Sequence, residues 1–181
     1  VTWWPGDPKH VDVTLQPWEI ELCREEAAAR NARALKNGYR AGFGTAEQVA
    51  QGDLTGALGE LATSNYVDIE TNFGGDYFEQ VHDVGLIEVR TLGLGKSYGL
   101  PGWKTDEPKV FFVYARLLRL DEIAVVRLEG WINVEQFFSY AKPHAHWKHK
   151  TKGPTLLLDP NYLQAMTTLK RNHLLAERFY T

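Results

Sequence analysis

The segment His82-Asp83-Val84-Gly85-Leu86-Ile87-Glu88-Val89-Arg90-Thr91 alternates charged and apolar side chains from Ile87 onward. In a strand, Glu88 and Arg90 point to one face while Ile87, Val89 and Thr91 point to the other. Asp83-Val84-Gly85 reads as a tight turn joining that strand to a preceding one at 77–82, and the hairpin brings the Asp83 carboxylate near Glu88. Two carboxylates converging on one point repel unless one is protonated or a cation sits between them, and a hard divalent ion accepts such oxygen ligands. Ordinary alternatives exist for each residue. Asp is a favoured turn former beside Gly85, and a Glu-x-Arg pair on one strand face is commonly a solvent-exposed edge.

Upstream, 53–66 reads as a helix capped by Asp53, with Leu54, Leu58, Leu61 and Ala62 on one face. Glu60 lies on the other side with Gly56, Gly59 and Thr63, a thin face that lets another backbone or a ligand approach closely. Alone, Glu60 is an ordinary solvated acid; helix acid, turn Asp and strand Glu-x-Arg in this order make a site. Before it, 1–8 reads as an irregular arm and 11–15 as a short strand. A first helix runs from Pro17 to a stop at Asn37-Gly38, and a helical turn is expected at 45–50.

Downstream, 109–118 and 123–128 read as further strands of a meander, after a Gly- and Lys-bearing loop at 93–108. A short helix at 134–140, a basic loop at 142–152, a strand at 155–158 and a closing helix from 161 complete the chain. Leu163, Met166, Leu169 and Leu174 of that helix are packing residues. With no repeat, low-complexity tract or composition shift, 1–181 reads as one α/β domain around a central mixed sheet flanked by helices.

With 44% hydrophobic and 24% charged residues, the chain has the profile of a globular protein, and no run approaches the roughly 20 apolar residues a membrane span needs. A lone cysteine, Cys23, excludes an internal disulfide and a cysteine-built zinc site, and reads as a small buried hydrophobe. The opening residues lack the basic start and apolar run of a signal peptide, so a cytoplasmic location is expected. Net charge is −3, which excludes a global basic field; yet 142–152 carries four lysines, three histidines and no acid, leaving −7 for the remainder. His144-Ala145-His146-Trp147-Lys148-His149 invites a zinc reading, but no Cys or acid nearby completes a tetrahedral set. A phosphate-touching loop, with Lys142, Lys148, Lys150 and Lys152 as contacts and Trp147 stacking on a base, explains the composition equally with a merely solvated loop. Lys96, Trp103 and Lys104 form a second candidate contact surface.

Asp83 followed by Glu88-Val89-Arg90, and preceded by a helix bearing Gly56-Ala57-Leu58-Gly59-Glu60-Leu61-Ala62, resembles the PD-(D/E)XK (restriction-endonuclease-like) nuclease superfamily, especially small phage proteins of that group. The resemblance spans roughly 53–139 and implies an α-β-β-β-α-β core, with 1–52 and 142–181 as additions. It matches Glu60 to the helix acid, Asp83 and Glu88 to the metal ligands, and Arg90 to the position of the usual lysine. His82 stands where a proline is common. An arginine keeps the electrostatic role of that lysine but effectively never yields its proton, so it clamps phosphate without acting as a general base; Lys96 could stand in only if the glycine-rich turn bends back.

The implied activity is hydrolysis of DNA phosphodiesters with Mg²⁺ or Mn²⁺ held by Asp83 and Glu88, assisted by Glu60, with Arg90 on the scissile phosphate, inside a bacterial host cell. Two other classes compete: a catalytically silent module of the same fold that binds nucleic acid or a protein, and a phage structural protein using Trp3, Trp4 and Trp103. A homodimer is left open, and a membrane partner is not expected.

Overall fold

A computed structural model describes residues 9–38, 45–74, 83–96, 99–103, 110–149, 153–169 and 172, with the side chains of 145–149 outside the description. It begins with strand β1 (Val11–Leu15) and helix α1 (Pro17–Lys36), as the alternation and Pro17 indicated. Gln16 and Glu19 close the helix start as a reciprocal capping box. Helix α2 spans Ala46–Val67 without a break, which corrects the expectation that Asp53 begins it. Thr45 is the cap: its hydroxyl accepts from the Gln48 amide, and the Gln48 side chain accepts from the Thr45 amide. Asp53 and Gly52 are therefore interior helical residues, and the separate turn at 45–50 is the helix's own beginning.

The remaining elements are β2 (Ile87–Leu92), β3 (Leu100–Gly102), β4 (Phe111–Leu120), β5 (Ala124–Asn133), α3 (Val134–Tyr140), β6 (Lys142–His149) and β7 (Gly153–Leu158). A mixed four-stranded sheet has the order β1-β5-β4-β2, and a three-stranded antiparallel sheet has the order β3-β7-β6. Within the larger sheet β2 and β4 are parallel, Ile87 facing Phe111, while β4 and β5 form an antiparallel hairpin. The expected meander is thus corrected: the chain after β2 crosses over before β4 starts, and β3 lies within what read as a plain loop. The strand expected at 77–82, the arm at 1–8 and Leu174 fall outside the described residues.

Two further expectations change. The basic segment is the strand β6, because it pairs with β7 at Lys142↔Leu157 and His149↔Gly153 with an irregularity between. The closing helix is replaced over 160–168 by two short 3-10 turns, Pro160–Tyr162 and Met166–Thr168, since the intervening backbone exchanges hydrogen bonds with Trp131 at Gln164. β5 also extends past Leu128 to Asn133; Gly130 at φ +152 absorbs the register shift opposite Tyr114 and Ala115.

The α/β class is as expected, and two apolar clusters explain it. On one face of the larger sheet, Ile87, Val89, Phe111, Val113, Ala115, Val126 and Leu128 pack against Leu58, Leu61 and Ala62 of α2. On the other face, Leu92, Phe112, Tyr114 and Ile132 meet Leu100, Leu158 and Phe137 beneath the small sheet and α3. Leu15, Ile20 and Cys23 belong to the first cluster, so β1 and α1 are built into the core. Cys23 is fully buried, and burial pushes its thiol up to about 12, the inert hydrophobe the sequence indicated. Among the described residues no helix is long and apolar enough to cross a membrane.

Candidate functional site

Asp83 sits at the outer edge of β2, and its position is fixed by backbone. Its own amide and that of Val84 donate to the Ile87 carbonyl at 3.0 and 3.1 Å, Ile87 returns a bond to Val84 at 2.8 Å, and Gly85 takes the positive φ the turn needs. In the parallel pairing of β2 with β4, every second residue of β2 turns its amide outward; Val89 is one, and it donates to Asp83 Oδ2 at 2.7 Å. The residue is half-buried, and the surrounding protein desolvates its carboxyl. Burial first, then the negative charges of Glu88 and Glu60, push its pKa well above the ordinary carboxylate range; the Val89 amide and Arg90 oppose this only in part.

Glu88 and Arg90 share the face of β2 turned away from α2. Glu88 is 7% exposed, and its Oε1 lies 2.9 Å from a terminal nitrogen of Arg90. The Arg90 guanidinium also stands 5.1 Å from the centre of the Trp103 ring. It lines a pocket of about 200 Å³ with Leu92, Pro101, Trp103 and Tyr114, at the junction of the two sheets.

Glu60 approaches from the opposite face, on α2. It is 5% exposed, and Arg30 of α1 grips it with two parallel bonds, 2.7 Å to Oε1 and 2.5 Å to Oε2. Arg30 is itself braced by Glu26, which also accepts from Arg33 and from the Gly74 amide. Burial would raise the Glu26 carboxyl, but these donors hold it below its usual value. Asp53, two turns before Glu60 on the same face of α2, is raised by burial, with Arg30 and Glu60 pulling in opposite directions. The thin face read at Gly56 and Gly59 is shared: Gly56 faces Arg30, whereas at Gly59 β2 comes close enough that an added Cβ would meet Thr91 Oγ1.

The charges of Glu88 and Glu60 are thus both felt at Asp83, while each of those two glutamates has an arginine beside it, Arg90 on one face of β2 and Arg30 on the α2 side. A divalent ion at this edge would draw on Asp83 and Glu88, since Arg30 holds both Glu60 oxygens, and it would have to share Glu88 with Arg90; Mg²⁺ is commonly held by one or two carboxylates with water and phosphate. Among the described residues no group of three or more His, Cys, Asp or Glu side chains is placed to hold a metal. Glu60, expected as a ligand, contributes through its charge.

The candidate contact residues are dispersed. Lys96 lies in the turn after β2, where its carbonyl accepts from Arg116, the partner of Leu92; it is at the opposite end of β2 from Asp83. That placement gives no support to Lys96 as a substitute for the usual lysine. Lys142 is exposed at the start of β6, Trp147 and Lys148 have only their backbone described, and Lys104, Lys150 and Lys152 lie outside the described residues. Arg30 was not among the sequence candidates. Its i,i+4 spacing to Glu26 was visible, but nothing local points thirty residues on to Glu60. No family model matches the chain, and neither a curated protein nor a solved structure matches it.

Proposed function

We propose that the protein is a divalent-cation-dependent nuclease that hydrolyses DNA phosphodiester bonds, built on a restriction-endonuclease-like core and working at Asp83 and Glu88. The observation that carries this is the Asp83 carboxyl, held at the edge of β2 by the Val89 amide, with its ionisation opposed by burial and by the charges of Glu88 and Glu60. A carboxyl so placed gains from a cation what solvent cannot give it. Bound there, Mg²⁺ or Mn²⁺ supplies a lowered pKa for water and charge neutralisation on the phosphate.

The chain's own residues do the rest. Asp83 and Glu88 provide oxygens, and Glu60, locked by Arg30, deepens the negative potential without moving. Arg90, poised between Glu88 and Trp103, turns to the scissile phosphate as an electrostatic clamp. It holds its proton throughout, so the nucleophile is not activated by residue 90.

A second reading is favoured by one observation: Glu60 and Glu88 both already have arginine partners. On that reading the site is a silent relic, and the protein binds nucleic acid or a protein partner without cleaving. Incubation with linear, circular and single-stranded DNA in Mg²⁺ or Mn²⁺ separates the two. Cleavage that EDTA abolishes supports the nuclease; intact DNA in every arm refutes it.

A further inference from the structure

Two half-exposed tyrosines stand stacked at the end of α3. Tyr140 ends α3 and Tyr162 lies in the 3-10 turn after β7; their ring centres are 4.7 Å apart and their planes 9° from parallel. Each ring covers one face of the other, and the residues remain 46% and 50% exposed, so part of each ring stays accessible to solvent. Lys142, exposed, follows Tyr140 by two residues and opens β6, the outermost strand of the small sheet. Lys9 donates to the carbonyl of Pro160, two residues before Tyr162, and so brings a second cation to the same corner. Asp159, the nearest acid in sequence to Tyr162, accepts from the Asn161 amide through Oδ1 and remains exposed with its charge. The segment that begins at Lys142 holds all four lysines and three histidines of the basic tract.

We propose that the Tyr140–Tyr162 stack, with Lys142 at the start of β6 and Lys9 beside it, forms a docking surface for single-stranded nucleic acid, with a base laid on a tyrosine ring and phosphates met by these two lysines. The aromatic pair decides for an unpaired strand. Bases in a duplex cover one another's faces, whereas an unpaired base offers its face to a ring. Lysines alone would serve any polyanion; the parallel rings add a contact that only a planar group uses. The inference rests on the nucleic-acid part of the proposed function and is independent of cleavage.

The test is binding in EDTA, where no hydrolysis intrudes, of fluorescent oligothymidylate and oligouridylate, with inorganic polyphosphate and a polyglutamate peptide as polyanions without bases. Wild type is expected to prefer both oligonucleotides. Tyr140→Ala with Tyr162→Ala should weaken oligonucleotide binding roughly 5- to 150-fold, the effect of losing one stacked base, and leave polyphosphate binding unchanged. Tyr140→Phe with Tyr162→Phe keeps the rings and should bind like wild type, and circular dichroism verifies that each variant is folded. Lys142→Ala should lower the salt slope by about 0.7. The proposal is overturned if the alanine pair binds like wild type, if polyglutamate or polyphosphate binds as tightly as the oligonucleotides, or if no oligonucleotide binds at all. Because metal is absent throughout, a failure of cleavage leaves this result standing, and a failure here leaves the Asp83 site untouched.

Discussion

The Val89 amide donates to Asp83 Oδ2 at 2.7 Å, tying the acid of the turn to the strand that carries Glu88 and Arg90. The bond positions a carboxyl that burial and its neighbours discourage from ionising, and this tension has a measurable pH signature. Unfolded, Asp83 ionises near pH 4; folded and metal-free, it holds its proton to higher pH. Unfolding therefore releases a proton above pH 4, and the contribution of Asp83 to stability is full below that pH and lost as pH rises through the folded value. Asp83→Asn keeps the acceptor for Val89 and removes the charge. In EDTA at pH 8 it should melt a few degrees above wild type, with the gap closing toward pH 4. A wild type that is the more stable at pH 8 contradicts the assignment.

Arg30 is the keystone of the polar contact between α1 and α2. Arg30→Ala leaves Glu60 buried with no cation, which costs on the order of 3–5 kcal/mol for a pair so enclosed. Arg30→Met with Glu60→Leu removes both charges and should recover much of that loss in urea unfolding. If the double variant is no more stable than Arg30→Ala, the charge argument fails.

Gly59 sets the distance between α2 and β2. Gly59→Ala places a methyl where Thr91 Oγ1 already lies and should destabilise by roughly 1–3 kcal/mol despite the better helix propensity of alanine. Adding Thr91→Ala should return part of it. Equal midpoints for wild type and Gly59→Ala would show that the contact relaxes without cost.

What the sequence revealed follows from how local each signal was. The alternation read as a strand over 86–92 and the Pro17 and Asn37-Gly38 boundaries depend on neighbours along the chain; α1 appeared as read, and β2 begins one residue later, at Ile87. The parallel pairing of β2 with β4 depends on a crossover, so the period-2 pattern was the same whether the strands formed a meander or not. Lys142–His149 looked like a loop because its lysines and histidines mask strand propensity, and only β7 makes it a strand. At the site, the order of Glu60, Asp83 and Glu88 was visible; that Arg30 occupies Glu60 and Trp103 backs Arg90 was not, since both contacts join segments distant in sequence.

Arg90 discriminates the two functional readings. As a phosphate clamp, Arg90→Ala should lower cleavage on the order of 10²–10³-fold, while Arg90→Lys keeps the charge and retains activity. Steady-state cleavage of a labelled duplex measures both. Full activity in Arg90→Ala would reduce the residue to a partner for Glu88 and Trp103.

The claim on which the account depends is that Asp83 and Glu88 together bind a divalent cation, and titration calorimetry with Mn²⁺ measures it directly. Wild type is predicted to take up the ion with protons released, since Asp83 must give up its own, and Asp83→Asn with Glu88→Gln is predicted to lose that binding. Identical isotherms for wild type and the double variant would contradict the account.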